Sequence, residues 1–400
     1  MGTVHKLKLT GLLLAGAVAM TGNQALAGGF SIREQSASGL GMAFAGAAAG
    51  YDDLSSMFFN PATMIRNKGF NAQAEASVII PSSKISVTSP AGGPDSGNIG
   101  KVAVVPSTYV AYSVNPDFVF GVGINAPFGL ETEANAGWGG APHGIKSEMK
   151  VLNINPMVAY RISPMLSVGA GLQMDYMEVT LTSNVGIPVT IKGKDKASFG
   201  FTAGVLFEPM QGTRVGIGYR SKINHKLKGN MTTIRTIPVT ADFTAPESVT
   251  ASFHQDINPQ WAIKGSVEWM NWSRFENLTI KNLAGTTVGN TVENWKDSWF
   301  FSGGVEFKPT PTMVLRAGAA YEKSPVPDAT RTPRIPDNDR IWLTVGGGMK
   351  VTERISINAS YAHIFVKKAP INLDTGLATE LIGTTKTHLD IFSVSAKIHF

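Results

Sequence analysis

From Gly69 to its last residue the chain alternates, one residue at a time, between apolar and polar side chains, and few folds tolerate that. Phe70, Ala72, Ala74, Ala76, Val78 and Ile80 are interleaved with Asn71, Gln73, Glu75 and Ser77. Leu166, Val168, Ala170, Leu172, Met174 and Tyr176 oppose Ser167, Gly169, Gly171, Gln173 and Asp175, and Phe199, Phe201, Ala203, Val205 and Phe207 oppose Ser198, Gly200, Thr202 and Gly204. The same holds for Val215, Ile217 and Tyr219, and for Met313, Leu315, Ala317, Ala319 and Tyr321. A period of two marks a β-strand with unlike faces. Here one face is greasy and the other is built from Gly, Ser and charge. A soluble sandwich needs an apolar interior, and these strands would carry Arg, Asp and Glu into it. Apolar side chains turned to lipid and polar ones to a lumen suit a transmembrane barrel.

The links between strands carry a second signal. Short ones stand at Asn115-Pro116-Asp117, Ser163-Pro164, Glu208 to Thr213, Asp256 to Gln260, Lys308 to Thr312 and Thr352 to Arg354. Between them lie longer ones, at about 81–106, 129–146, 182–196, 224–246, 273–294, 322–338 and 366–387. Strict alternation of short and long is what periplasmic turns and extracellular loops produce. Seven long loops and six turns predict about fourteen antiparallel strands with both ends of the barrel on the periplasmic side. The run Phe392, Val394, Ala396, Ile398 and Phe400 alternates to the last residue, as in barrels whose final aromatic signals to the barrel-assembly machinery.

The N-terminal region reads differently. Lys6 and Lys8, an apolar run from Leu9 to Met20 and the small-x-small Ala25-Leu26-Ala27 predict an export signal over residues 1–27. The apolar run is shorter than the roughly 20 residues a membrane helix needs, and no later segment supplies them. Residues 28–68 do not alternate. Gly39, Gly41, Ala43, Ala45, Gly46, Ala47, Ala48 and Ala49 lead to Asp52-Asp53 and Phe58-Phe59-Asn60-Pro61-Ala62. Small side chains let short helices pack in a confined space, so this stretch is expected to be a plug, or hatch, inside a barrel of residues 69–400.

Chemistry-bearing motifs are absent. There is no cysteine, which removes disulfides, thiolate metal sites and thiol nucleophiles. No Walker A loop, Gly-x-Ser-x-Gly or His-Glu-x-x-His occurs, and Gly39-x-Gly41 lacks the βαβ context of a dinucleotide site. The histidines never fall at metal-ligand spacing. The expectation is no enzyme, no cofactor and no metal. The formal charge of +6 is spread along the chain, which argues against nucleic acid; at the rims it would suit the phosphates of lipopolysaccharide. Glu75, Asp175, Arg214, Arg220, Lys264, Glu268, Glu306 and Arg316 fall on lumen faces, where mixed signs favour a network bracing wall and plug over a conduction path.

With these features assembled, the chain resembles the long-chain fatty acid and aromatic hydrocarbon transporter family of Gram-negative outer membranes (FadL/TodX-like). Gly29-Phe30 with Glu34-x-Ser36-x-Ser38-Gly39-Leu40-Gly41 resembles its opening, and Asn60-Pro61-Ala62 its plug motif. Phe128-Gly129-Leu130 resembles the segment where its third strand is kinked. Pro246-Glu247, Gln260-Trp261-Ala262 and Trp272-Ser273 follow in order. So do Ser324-Pro325-Val326-Pro327-Asp328 and Ile335-Pro336-Asp337-x-Asp339-Arg340-x-Trp342.

The resemblance implies a monomeric fourteen-stranded barrel with an N-terminal hatch. It also implies a route for hydrophobic small molecules. Ligand gathers among the extracellular loops, enters an apolar pocket, displaces the residues around Phe30 and leaves through a wall gap at the kink. Pro61 fixes φ and lacks an N–H, and Gly129 lets the wall turn away; on that basis Asn60, Pro61 and Ala62 are expected at the inner edge of the gap formed by Phe128, Gly129 and Leu130. Relatives that take fatty acids hold the carboxylate with basic pocket residues. After Tyr176 and before Trp295, where those would fall, stand Ser183 and Thr291, so fatty acid and neutral hydrocarbon both stay open. A general diffusion porin and a surface receptor or adhesin barrel are the alternatives.

Overall fold

Alternating faces become a closed wall once every strand finds a partner on each side. The computed structural model describes residues 28–373 and 380–400, and the expected export signal lies outside them. Among the described residues no helix is long and apolar enough to cross a membrane. The strands are β1 (Phe70–Ser89), β2 (Ala103–Asn115), β3 (Phe118–Asn125 and Gly129–Glu133), β4 (Lys146–Ser163) and β5 (Leu166–Asn184). Then come β6 (Pro188–Met210), β7 (Thr213–Arg220 and Ile223–Thr232), β8 (Thr236–Ala245 and Ser248–Asp256) and β9 (Trp261–Met270 and Asn277–Asn282). The last five are β10 (Thr287–Val292 and Ser298–Thr310), β11 (Met313–Lys323), β12 (Arg340–Lys350), β13 (Ile355–Val366 and Ala369–Leu373) and β14 (Leu381–His399). Each pairs antiparallel with its sequence neighbours, and β14 returns to β1 in the register Asn71↔His399 through Ile80↔Asp390. Fourteen strands close the barrel, as the link pattern predicts, and Phe400 meets Phe70 at the seam.

The faces fall as the alternation requires. Asn71, Gln73, Glu75 and Ser77 are buried, whereas Phe199, Phe201, Val205, Ile217 and Leu343 are exposed. In an outer-membrane barrel these exposed side chains face lipid.

Four of the expected long loops are largely strand. Residues 182–196 form a hairpin with its tip at Val185 to Ile187, and 224–246 turn only at Thr233 to Arg235. The 273–294 and 366–387 links likewise carry β-hairpin segments. The reason is length and ladder. β1 has 20 residues, where a membrane crossing takes roughly 9–11. Neighbouring extensions pair with each other beyond the membrane, as in Thr190↔Thr232 through Lys194↔Lys228. Epitope tags inserted at Val185 to Ile187 or Thr233 to Arg235 are therefore expected to label on intact cells, and tags at Asn115-Pro116 to stay silent until the envelope is opened. Labelling of the Asn115-Pro116 tag in unbroken cells would overturn this orientation.

Residues 28–66 lie within the barrel, almost entirely buried, as a short helix (Ala37–Leu40) and 3-10 turns at Ala47–Ala49, Ser55–Phe58 and Pro61–Arg66. Their backbone runs against the lumen wall. A Cβ at Gly216 would collide with the carbonyl of Ala48, and one at Gly218 with the carbonyl of Phe59. The glycines on the lumen faces are thus close-approach positions. The lumen charges brace the same segment. Arg214 donates to the carbonyls of Ala49 and Gly50 at 3.1 and 3.2 Å, and Arg220 to that of Phe58 at 3.1 Å. Lys264 and Arg316 both reach Glu306, at 3.0 and 3.2 Å. Lys264, Arg316 and Glu306 pair with one another and Glu268 with Arg33, whereas Arg214 and Arg220 brace the segment through carbonyls and Glu75 accepts from Gln73.

Candidate functional site

The wall is interrupted once in β3. Between Asn125 and Gly129 three residues, Ala126, Pro127 and Phe128, face only Val151 and Leu152 of β4, because Asn125 pairs with Asn153 and Gly129 with Lys150. Pro127 has no N–H to give to a ladder. On the other side β2 pairs with β3 from Thr108 to Asn115, and above that only Gly100 bridges to Thr132. Val104 to Pro106 therefore pair with β1 alone. The result is a gap in the hydrogen-bonded sheet between β2 and β3.

The N-terminal segment meets that gap from inside. Ile32 N–H donates to the carbonyl of Pro127 at 2.8 Å, and Gly129 N–H to the carbonyl of Phe30 at 2.9 Å. Ser31 forms a bridge with Phe128. The Gln35 amide donates to the Ala126 carbonyl at 2.8 Å, while its own oxygen accepts from Ser107 of β2 at 2.7 Å. Three residues of the segment act as a short strand where β3 breaks off.

The Phe30 ring fills a box of aromatic side chains. Its centroid lies 4.6 Å from Trp272, 5.4 Å from Trp295, 5.5 Å from Phe243, 6.0 Å from Phe275 and 6.3 Å from Phe128. Phe30 is only 1% exposed. Edge-to-face pairs at these separations each add about 0.5–1.5 kcal/mol beyond the burial itself. Trp272 and Phe275 sit in the interruption of β9, and Trp295 in that of β10. Strand geometry would point alternate side chains outward there; the irregular backbone turns them in.

Arg33 anchors the segment three residues on. Its guanidinium bonds Glu268 at 2.6 Å and Glu322 at 2.9 Å, and lies 4.0 Å from the Phe300 ring centre. Thr250 and the Trp342 indole donate to the remaining carboxylate oxygens. A small cavity of about 30 Å³, room for about one water, is lined by Ile32, Arg33, Phe58, Phe59, Phe128 and Arg220. Both guanidinium groups on it are already bonded, Arg220 to Gln173 and Phe58. A second apolar cluster, with Ile85, Ile99, Trp138, Ile371 and Leu381, lies nearer the extracellular ends of the strands.

Of the residues singled out in the sequence, the structure brings Phe30 onto Phe128 and Gly129, with Leu130 buried beside them. It places Asn60-Pro61-Ala62 elsewhere, against Gly169 of β5 and Gly204 of β6, with Asn60 donating to the Val205 carbonyl at 2.9 Å. The motif opens a helical turn rather than leaving the backbone without a regular partner. The Asn60 side chain accepts from Ala62 N–H at 3.0 Å as N-cap, and Pro61 takes the first position. Phe58 and Phe59, just before it, are the residues that reach the cavity. Ser183 and Thr291 lie in hairpins opposite Val189 and Leu278, not on the cavity. Sequence reasoning missed Pro127, which as a proline inside an alternating run was a visible signal. It also missed the inward role of Phe243, Trp272, Phe275 and Trp295, three of which stand where the alternation lapses.

The family described as outer membrane protein transport protein (OMPP1/FadL/TodX) matches residues 18–400. A long-chain fatty acid transport protein of Salmonella typhi is 30% identical over 92% of this chain and 94% of its own. A 47 kDa outer membrane protein of Pasteurella multocida is 32% identical over 90% and 92%. Among solved structures, a Pseudomonas aeruginosa FadL homologue superposes with a TM-score of 0.88 at 23% identity, covering 93% of this chain and 100% of that one. The P. putida toluene transporter TodX gives 0.69 at 17%, covering 90% and 97%. These two likenesses establish the shared barrel fold.

Proposed function

We propose a transport route from a plain premise: this chain belongs to the outer membrane protein transport family (OMPP1/FadL/TodX), whose members are outer-membrane transporters of fatty acids and hydrocarbons rather than enzymes. In this reading it takes up hydrophobic small molecules, fatty acids or hydrocarbons, and residues 28–68 serve as its hatch. Ligand gathers on the outer apolar cluster around Trp138 and Leu381, then enters the box now filled by Phe30. It leaves sideways between β2 and β3. An apolar path of this kind carries greasy molecules around a polar lipopolysaccharide layer.

One observation carries the proposal. The residue that fills the aromatic box, Phe30, belongs to the three-residue stretch Phe30 to Ile32 whose backbone bonds close the break in β3. A ligand that takes the place of the Phe30 ring must also loosen those bonds. Entry and exit are thereby coupled in one short segment. The cavity beside the segment holds about one water, so ligand needs the space the Phe30 ring vacates, and the two guanidinium groups there are already bonded, which favours a neutral hydrocarbon.

Phe30→Ala tests this. Truncating a buried Phe costs about 3–5 kcal/mol, here drawn from docking of the segment and not from the wall ladder. With the competing ring gone, the apparent affinity for toluene or oleate in detergent should rise by about tenfold or more. The readout is the emission of Trp272 and Trp295, which flank the site. If ligand leaves the indole emission untouched in both proteins, or affinity falls in the variant, the box is not the binding site.

A further inference from the structure

We infer that the outward face of β6 and β7, where the β5–β6 and β7–β8 hairpins pair, is a docking site for the phosphorylated headgroup of lipopolysaccharide. Lys192, Lys194 and Lys196 of β6 and Lys226 and Lys228 of β7 line one open groove of about 1010 Å³. All five are exposed, while Asp195, His225 and Leu227, at the intervening positions, are buried. The lysines therefore share the outer face of the wall, not the lumen.

Two features set this patch apart from an ordinary solvated rim. The first is crowding. Elsewhere among the described residues, Lys84–Asp95, Lys101–Glu133, Lys150–Glu148 and Lys323–Asp339 are paired, while Lys281, Lys367 and Lys386 have no carboxylate partner; the groove gathers five lysines on two neighbouring strands. In the groove, among the described residues, only Lys194 has such a partner, Glu178 at 2.5 Å. Lys194 and Lys228 stand directly opposite each other across the ladder. Like charges in that position destabilise a sheet unless something negative lies between them.

The second is height. Phe199, Phe201 and Tyr219, with Phe201 and Tyr219 in contact, end the lipid-facing apolar band on the same two strands. Lys196 precedes Phe199 by three residues, roughly 10 Å along a strand, on the extracellular side. Directly above the acyl region, on the outside of the barrel, the anions of the outer leaflet are lipid phosphates. A soluble acidic partner would need no apolar band beneath its lysines; an amphiphile with acyl chains below and phosphates above matches both halves of this surface.

The full-length protein in detergent micelles, probed by native mass spectrometry with bis-phosphorylated lipid A, tests the inference. The wild type should hold the lipid, less firmly as salt is raised, because exposed charge is screened. Replacing all five lysines with Gln should weaken retention roughly tenfold or more, given the usual interfacial strength of a lysine. A second variant, Lys226→Gln with Lys228→Gln, leaves the Lys194–Glu178 pair within the β5–β6 hairpin and the β6–β7 ladder in place and should be intermediate. Phosphatase-treated lipid A should bind the wild type no better than the five-lysine variant binds the intact lipid. Equal retention of intact lipid by wild type and either variant, or equal retention of treated and intact lipid by the wild type, overturns the assignment.

Discussion

Deleting Pro127 is expected to abolish uptake of hydrophobic substrate while leaving an assembled barrel. At the break, three residues of β3 oppose two of β4, so the register of Phe118–Asn125 is one residue out of step with that of Gly129–Glu133. Removing one residue brings the two halves into a single register, and removing the proline restores a donor at every position. Phe128 and its neighbours could then complete the ladder toward Val104 to Pro106 of β2, and the gap would zip shut. Because the deletion adds wall hydrogen bonds, heat-modifiability on gels should be kept. Uptake of toluene or oleate should fall by about tenfold or more, the size of effect that ~1.4 kcal/mol already produces. A correctly inserted deletion protein that transports at the normal rate would rule out the sideways exit and leave an axial path through the N-terminal segment.

Arg33→Met should release the N-terminal segment without unfolding the wall. Arg33 is the cation shared by Glu268 and Glu322, and all three side chains are buried. Removing one partner of such a group leaves uncompensated buried charge, at a cost of about 3–5 kcal/mol. That cost falls on the docking of the segment, since the strands carrying Glu268 and Glu322 keep their ladders. The expected signs are protease cleavage near residue 33 in folded protein and higher single-channel conductance in planar bilayers. Adding Glu268→Gln and Glu322→Gln should recover most of the protection, because Thr250 and Trp342 keep their acceptors while the orphaned charges are gone. An unprotected segment in the triple variant would mean that Arg33 acts through packing on Phe300 and not through charge.

The wall was legible in the sequence. A period of two fixes which face of each strand is greasy, and the alternation of short and long links fixes how many strands there are. Both are local properties of the chain, set by pleat and by turn length. The lumen charges could be assigned to the inside for the same reason, by parity, but that Arg214 and Arg220 would brace the segment through its carbonyls rather than through carboxylates was not visible. The extent of the strands was less visible, because polar Thr and Lys hairpins such as 188–196 look like loops until a neighbouring hairpin supplies the other half of the ladder.

The site depended on tertiary structure. Residues 30–32 carry nothing that reveals they will act as a strand, and they do so only because β3 breaks off beside them. The aromatic box draws Phe243, Trp272, Phe275 and Trp295 from three consecutive strands more than 200 residues from Phe30, and no spacing rule brings them together around it. Asn60-Pro61-Ala62 shows the converse. Its chemistry was readable as that of a motif, yet a cap and a proline at the first helical position look the same as a gate residue until the partners are seen. The sequence determined the barrel and which side of it meets lipid, because both follow from the order of neighbours along one chain. Where the barrel is interrupted, and what fills the interruption, was decided by contacts between distant segments that come to exist only when the wall has closed around the N-terminal residues.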